Sequence, residues 1–494
     1  FDSVGVWASS DFAQDSMSLS RDPRFADALG GDFHLRSVAG RWDPVAGGWA
    51  IDAESSPLID AGDPLRACTE PAPNGGRVNL GRHGNTDQAS RTPTNGAIAL
   101  ISFNDGGRAS GTNVLVSWLA RGAATNGTVT ISYSSDGGLT WTELVAGIAA
   151  SDGAWTWDST LSAQSVEGKL MIVGSDGSTA ISDRLFSVRN APFVFYINDD
   201  SRTNDVYCSA VGQGANSGLT PDKPMSDFNA LLAKYDLEGG DIVYIDTGVY
   251  QKGSEPWRIT QADSAGNLGV DPVIFQGSTN SLMNGTVLSR SFYPVGIQAD
   301  YAVGIRLRNL VVSNSSSIAV SFNDCYDAAA EWVAVGATNV GFKLTGGSHL
   351  RIEHCVVADA NQGVVISGGD ASTNTVYPVV EHNVIWETDG NAVQLVTGKA
   401  TVQHNILSVS SGYYIYGLDS SAELFADYNS IWLGNSGRVF QQSVAGSPVP
   451  LIYDTVGSWA TSEGQDLHSY DGDPLLADAT NRNFHLKSRA GRWD

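Results

Sequence analysis

Six short phrases in the second half of the chain repeat one pattern: LRNLVVSN, ending at Asn314, then EWVAVGAT, EHCVVADA, EHNVIWET, QHNILSVS and DYNSIWLG. Each is a β-rich run bounded by Gly, Asn, Ser or Asp, and helical periodicity is almost absent from about Pro272 to Arg438. Aligned on the third residue, the phrases place Asn309, Trp332 (one place into its run), Cys355, Asn383, Asn405 and Asn429 at intervals of 23, 23, 28, 22 and 24 residues. An interval near 23 predicts one turn of a solenoid. A single turn has no second layer under which to bury its Val and Ile side chains, so the turns must stack on one another. Stacking in parallel register sets neighbouring coils ~4.8 Å apart.

An Asn that returns after each strand can hydrogen-bond the Asn one coil away and satisfy bent backbone groups that water does not reach. Asn309, Asn383, Asn405 and Asn429 are therefore expected to form a structural ladder. On these residues the sequence resembles the right-handed parallel β-helix family, the pectate-lyase-like solenoids, over roughly residues 195–494.

The flanking segments fit the same scheme. Before the coils, FVFYINDD reads as a strand, and NSGLTPDKPMSDFNALLAKYDLEGGDIVYIDTGVY as a helix and then a strand. Ser226 or Asp227 is placed to cap that helix, which runs to about Tyr235. Residues 192–271 are similar to the phrase that opens and caps secreted bacterial β-helices, where an uncovered first coil would be an adhesive sheet edge. Residues 1–92, with SPLIDAGDP and EPAPNGGRVNLGRHGNTDQAS, resemble the closing coils of such a protein. Between them, residues 93–191 alternate short strands with turns and predict a β-sandwich that looks like an immunoglobulin or fibronectin type III module. Within it SSDGGLTW, Ser134 to Trp141, is similar to the Asp-box of sialidase propellers; as a single copy it is read as a hairpin turn shaped by Asp136 and Gly138. The expected fold class is all-β: a right-handed parallel β-helix, residues 272–494, plus a sandwich.

The chain also returns to its own beginning. DPRFADALGGDFHLRSVAGRWD, from Asp22, aligns without gaps on DPLLADATNRNFHLKSRAGRWD, from Asp473, with 14 of 22 positions identical. Upstream, FDSVGVWASSD at Phe1 lies on YDTVGSWATSE at Tyr453 after a single-residue gap, so residues 453–494 repeat the start. Self-similarity at long period marks an array, and the expectation is one repeat of a longer tandem protein.

The formal charge of −24 opposes binding to phosphate backbones or anionic lipid. Nucleic acid and membrane insertion are thus not expected partners, and scarce Lys with abundant Gly, Ser, Thr, Asn and Trp suits an extracellular or cell-surface location. Cys68, Cys208, Cys325 and Cys355 have no CxxC spacing for zinc or redox work; their even number permits disulfides in an oxidising compartment, while Cys355 falls at a stacked interior position where a buried free thiol is the equal alternative.

Fold precedent for β-helices includes polysaccharide lyases and glycosidases, which need clustered carboxylates with an Arg or Lys, or a carboxylate pair. The groups available, Arg306, Arg308, Lys343, Arg351, Glu353, Asp359, Glu381 and Glu387, form no familiar phrase, and no catalytic residue, cofactor or metal ligand is assigned. Calcium in the Asp-rich turn INDDSRTND remains an open alternative. Glu353 and Glu381 precede His354 and His382, with His404 in the next coil; the reading preferred is stacked side chains on alternating faces of the ladder, the alternative a short outward stripe of His and Glu, where metal needs two imidazoles within ligand distance. The function expected first is a structural repeat building a stiff extracellular rod or filament, adhesive or spacing, whose partners are neighbouring copies and extracellular glycan. The alternative is a secreted lyase or hydrolase acting on acidic glycans, with Trp386 and Trp432 stacking on sugar.

Overall fold

The computed structural model describes residues 18–19, 21–251, 255–280, 285–291, 293–368, 376–417, 422–434, 436–443 and 449–492. The chain divides into two units, Phe1–Ala191 and Pro192–Asp494.

In the first unit two antiparallel sheets enclose one core. Ala154–Trp157, Val114–Arg121 and Ala97–Leu100 form the smaller sheet; Phe186–Val188, Ser165–Gly174, Thr128–Ser134 and Thr142–Ala149 form the body of the larger. Residues alternate between buried and partly exposed along most of Ser165–Gly174, as a strand with one wet face requires. Trp118, Trp157, Tyr133, Leu170 and Phe186 meet in the resulting core. The SSDGGLTW phrase turns the Thr128–Ser134 strand back: the Asp136 carboxylate accepts from the Thr140 amide at 2.9 Å and from the Ser134 hydroxyl at 2.7 Å.

Where closing coils were expected, described residues 18–92 carry no parallel strand. They fold into two antiparallel hairpins, Phe25–Asp27 with Asp32–Leu35 and Arg41–Asp43 with Gly48–Ala50, followed by an irregular segment. Pro and Gly punctuate residues 57–76 too densely for ladder pairing, and side chains satisfy the backbone instead. Glu70 accepts from the amides of Asn79 and Asn85 at 2.6 and 2.7 Å. Arg121 of the sandwich donates to the carbonyls of Ser56 and Ile59 at 2.7 and 3.0 Å, so this segment and the sandwich share one unit.

The second unit is the solenoid. Its first face is nine parallel strands, from Val194–Ile197 to Glu423–Asp427. A second face runs from Gly248–Tyr250 to Tyr470–Asp471, and a third from Trp257–Ile259 to Arg438–Gln442; they fuse where the 12-residue strands Ala334–Thr345 and Val356–Ser367 turn the corner without a break. Register is strict. Val243, Phe275, Leu307, Ala330, Ile352, Val380, Val402 and Ala426 pair in succession and are all buried.

Both ends are closed. Helix α1, Phe228–Lys234, starts at Asp227, whose carboxylate accepts from the Ala230 amide at 2.9 Å. Its Phe228 ring stacks on Trp257 at 4.5 Å, putting apolar surface over the first coil. At the other end Leu451–Tyr453 pairs antiparallel with the third face, and helix α2, Val456–Glu463, lays Trp459 on Phe440 at 4.2 Å. No helix among the described residues is long and apolar enough to cross a membrane.

The sequence duplication is a structural one. Leu476–Asp478 and Asn483–Leu486 form a hairpin in the register of the first, Leu476 opposite Leu486 and Asp478 opposite Asn483, as Phe25 lies opposite Leu35 and Asp27 opposite Asp32. Even local bonds recur: the Arg24 amide to Asp22 at 2.9 Å and the Leu475 amide to Asp473 at 2.8 Å.

Candidate functional site

Each coil bends sharply between its first and second faces, and the bend falls on a residue with left-handed backbone. These residues are Asn309, Trp332, His354, His382, His404 and Tyr428, with φ between 53° and 58°. Asn and His tolerate that region better than most, whereas Trp and Tyr pay on the order of 1–2 kcal/mol for it.

Something must offset the cost, and the side chains indicate what. Trp332 stacks on His354 at 4.7 Å, His354 on His382 at 5.1 Å, His382 on His404 at 5.0 Å, His404 on Tyr428 at 5.5 Å and Tyr428 on His468 at 5.0 Å. The interplanar angles are 9–13°. Coil spacing and ring stacking distance nearly coincide, so one geometry serves both. The His stripe is thus the middle of a six-ring column whose ring edges, rather than faces, meet solvent.

One residue before each of the six bend residues, on the outer surface of the first face, runs a polar column: Arg308, Glu331, Glu353, Glu381, Gln403, Asp427. Arg308 pairs with Glu331 at 2.7 Å, Arg351 with Glu353 at 3.4 Å, and Asp427 with His468 at 2.8 Å. Glu381 instead accepts from the neutral Gln403 at 3.0 Å. Glu381, His382 and His404 bring one donor atom each within 4.8 Å of one another.

One residue after each ring, on the inside, lies the ladder. Asn383 Nδ2 donates to Asn405 Oδ1 at 3.0 Å, and Asn405 Nδ2 to Asn429 Oδ1 at 3.1 Å. The backbone amide of Cys355 donates to Asn383 Oδ1 at 2.8 Å, so Cys355 holds the next place in the column. The far end is closed by Asp466, 2 % exposed, which accepts from Asn429 at 3.0 Å, from Trp459 Nε1 at 3.0 Å and from Ser469 at 2.5 Å. Burial raises the Asp466 carboxyl above its ordinary range.

Asn309 is not a rung. The structure places it one residue earlier in the coil, in the ring column, and Leu310 and Val333 occupy the interior position in its coil and the next. The remaining singled-out residues are not brought together. Arg306 is held by Asp327 at 2.8 Å and by Glu331 at 3.5 Å; Lys343 lies on the third face opposite Ser321; Asp359 pairs with Arg482; the Glu387 side chain lies outside the described residues. Trp386, 7 % exposed, packs on Trp432 at 5.1 Å and on Phe484 at 6.1 Å, which leaves little ring face for a sugar. The second hairpin overhangs a cavity of about 270 Å³ whose walls include Val311, Ala334, Ala358, Arg482 and Phe484. Its polar groups are Arg482, Ser313 and Asn314, and the Arg482 guanidinium is already paired with Asp359.

In the INDDSRTND turn Asp199 serves the backbone, accepting from the amides of Ser201 and Val249 at 2.8 and 3.2 Å, and Asp205 accepts from the side-chain amide of Asn198 at 2.8 Å. The four cysteines are free thiols; burial pushes Cys325 up to about 11 and Cys355 up to about 12.

The ring column had a signal in the sequence, a ring-bearing residue directly before the interior position, in EWV, EHC, EHN, QHN and DYN. Aligning on Asn concealed it in the first two coils.

No curated protein and no solved structure gives a significant match to this chain. Residues 6–62 match a family model described as disaggregatase related. Residues 247–431 match the family model of the right-handed beta-helix region, and with the parallel faces described above they make this part of the chain a right-handed parallel β-helix.

Proposed function

We propose that this chain is a structural repeat unit of a tandem-repeat protein, secreted or held at the cell surface, in which solenoid and sandwich segments alternate to build a stiff extracellular rod. The observation that carries the reading is the pair of hairpins that share one register within duplicated sequence, Phe25–Asp27 with Asp32–Leu35 and Leu476–Asp478 with Asn483–Leu486. In the first, His34, Leu35 and Ser37 are 3 %, 5 % and 0 % exposed, covered by residues 52–91 through bonds such as Ser90 Oγ to the Leu35 carbonyl at 2.5 Å and Ser37 Oγ to the Arg91 carbonyl at 2.6 Å. In the second, Leu486 is 55 % exposed, and His485 and Ser488 are exposed as well. One hairpin present twice, in the same register and within duplicated sequence, is what an array of copies produces.

The ladder supports the same reading. Trp459, Asp466 and Ser469, which close it, have the counterparts Trp7, Asp15 and Ser18 in the opening stretch, ahead of the solenoid of this chain. Neighbouring copies are then the partners, and the acidic surface keeps such a rod soluble.

The test is electron microscopy of the material from the native source, with intact mass measured beside it. A regular axial repeat in a polypeptide several times the mass of this chain is expected. Separate compact particles with the mass of one copy overturn the reading, and cleavage of acidic polysaccharides by the same preparation establishes the enzymatic alternative.

A further inference from the structure

The structure assigns a binding site for a borderline divalent cation of the zinc class to Glu381, His382 and His404 on the outer edge of the solenoid. It is independent of any array.

The chemistry of the donors comes first. Two imidazole nitrogens and one carboxylate oxygen, with water in a fourth position, are a donor set that zinc and its neighbours accept and that calcium and magnesium, which prefer all-oxygen cages, do not. The three donor atoms lie within 4.8 Å of one another. Around a tetrahedral cation with bonds of ~2.0–2.2 Å they must close to roughly 3.4 Å. The two imidazoles are exposed and meet their neighbours only through stacking, so a modest tilt of His382 toward His404 closes the gap.

Availability comes second. Four of the other six histidines have a ring nitrogen already engaged, His34 by Asp32 at 2.6 Å, His349 by Ser348 at 2.9 Å, His468 by Asp427 at 2.8 Å and His485 by Asn483 at 2.9 Å. Among the described residues no hydrogen bond occupies a ring nitrogen of His382 or His404.

Charge selects this pair over its neighbour. His354 and His382 are stacked almost as closely, at 5.1 Å, but the carboxylate beside them, Glu353, faces the Arg351 guanidinium at 3.4 Å. Glu381 faces a neutral amide, so its charge is free to meet a cation, within a molecule whose formal charge is −24.

Isothermal titration of the whole chain with Zn²⁺, in a Cys68→Ser background that removes the one thiol that is not buried, tests the site. His382→Asn and His404→Asn suit the left-handed backbone, as Asn309 does three and four coils away. Each is expected to weaken the tightest site at least tenfold, Glu381→Gln several-fold, and His354→Asn not at all, with a millimolar excess of Ca²⁺ failing to compete. Cu²⁺ at one equivalent should give an electron paramagnetic spectrum with coupling to two nitrogens. Unchanged Zn²⁺ affinity in both histidine variants overturns the assignment, as does an equal loss in His354→Asn or coupling to a single nitrogen.

Discussion

The side-chain amide of Asn383 donates to Oδ1 of Asn405 on the next coil at 3.0 Å, and both residues are 2 % exposed. The same Oδ1 also takes the Asn383 backbone amide at 2.9 Å, while Asn405 Nδ2 serves the carbonyls of Val380 and Gln403 at 2.9 and 2.8 Å. One side chain thus satisfies groups from three successive coils.

Asn405→Leu keeps the volume and deletes every one of these bonds. Leaving buried donors and acceptors unpaired costs about 1–3 kcal/mol each, without full additivity, so the solenoid should lose about 3 kcal/mol or more. Asn309→Gly, at the bend outside the ladder, should change stability by less than about 1 kcal/mol. Urea unfolding followed by circular dichroism compares the two, and similar midpoint shifts would contradict the separate columns.

Thiol reactivity should sort by burial. Cys325 and Cys355 are 0 % and 1 % exposed with pKa values pushed up by burial to about 11 and about 12, and burial also raises that of Cys208. In native protein at about pH 8 a disulfide reagent should titrate Cys68 quickly and the other three only after unfolding, since the thiolate is the reacting form. Four fast thiols would mean that the coils open.

The hairpin turn of the sandwich should weaken in acid. Asp136 is pushed down to about 2 from the ordinary 3.8, first by the Thr140 side chain, then by the Thr140 amide and Ser134. A folded value below the unfolded one gives stability that is complete above the unfolded value and is lost as pH falls through the folded one. Asp136→Ala should therefore lower the melting temperature of the first unit at neutral pH. The gap should narrow between about pH 4 and about pH 2 and vanish below. A gap independent of pH would assign the effect to packing instead.

The two hairpins should exchange hydrogen at different rates although their registers agree. Amides of residues 34–37 lie under residues 52–91, whereas residues 485–488 are exposed, so exchange read by mass spectrometry should be slow in the first segment and much faster in the second. Equal protection would contradict the cover that residues 52–91 give the first hairpin.

Much of the solenoid was legible because its physics is periodic. The need to bury Val and Ile under a neighbouring coil dictates both the spacing and the interior column, and Asn383, Asn405 and Asn429 announce themselves by position. Asn309 misled for a physical reason: asparagine suits a left-handed bend as well as it suits a ladder, and these are adjacent places in the coil. The His and Glu stripe was visible, but its extension to Trp332, Tyr428 and His468 was not, because ring stacking joins residue types that composition treats as different. Residues 18–92 were the hardest to read. Their backbone is satisfied by Glu70, Asn79, Ser90 and similar side chains, a pairing that leaves no period in the sequence.

Between Cys355 and Asn383 the chain advances 28 residues, and between Asn383 and Asn405 only 22, yet Glu353, Glu381 and Gln403 remain paired in unbroken register. Contour length and axial advance are therefore separate quantities in this molecule. Residues can be added to a coil or taken from it without disturbing the rise per coil, provided the bend and the interior position return to their columns. A solenoid of this kind can diversify along its flank, coil by coil, while everything aligned along its axis keeps its place.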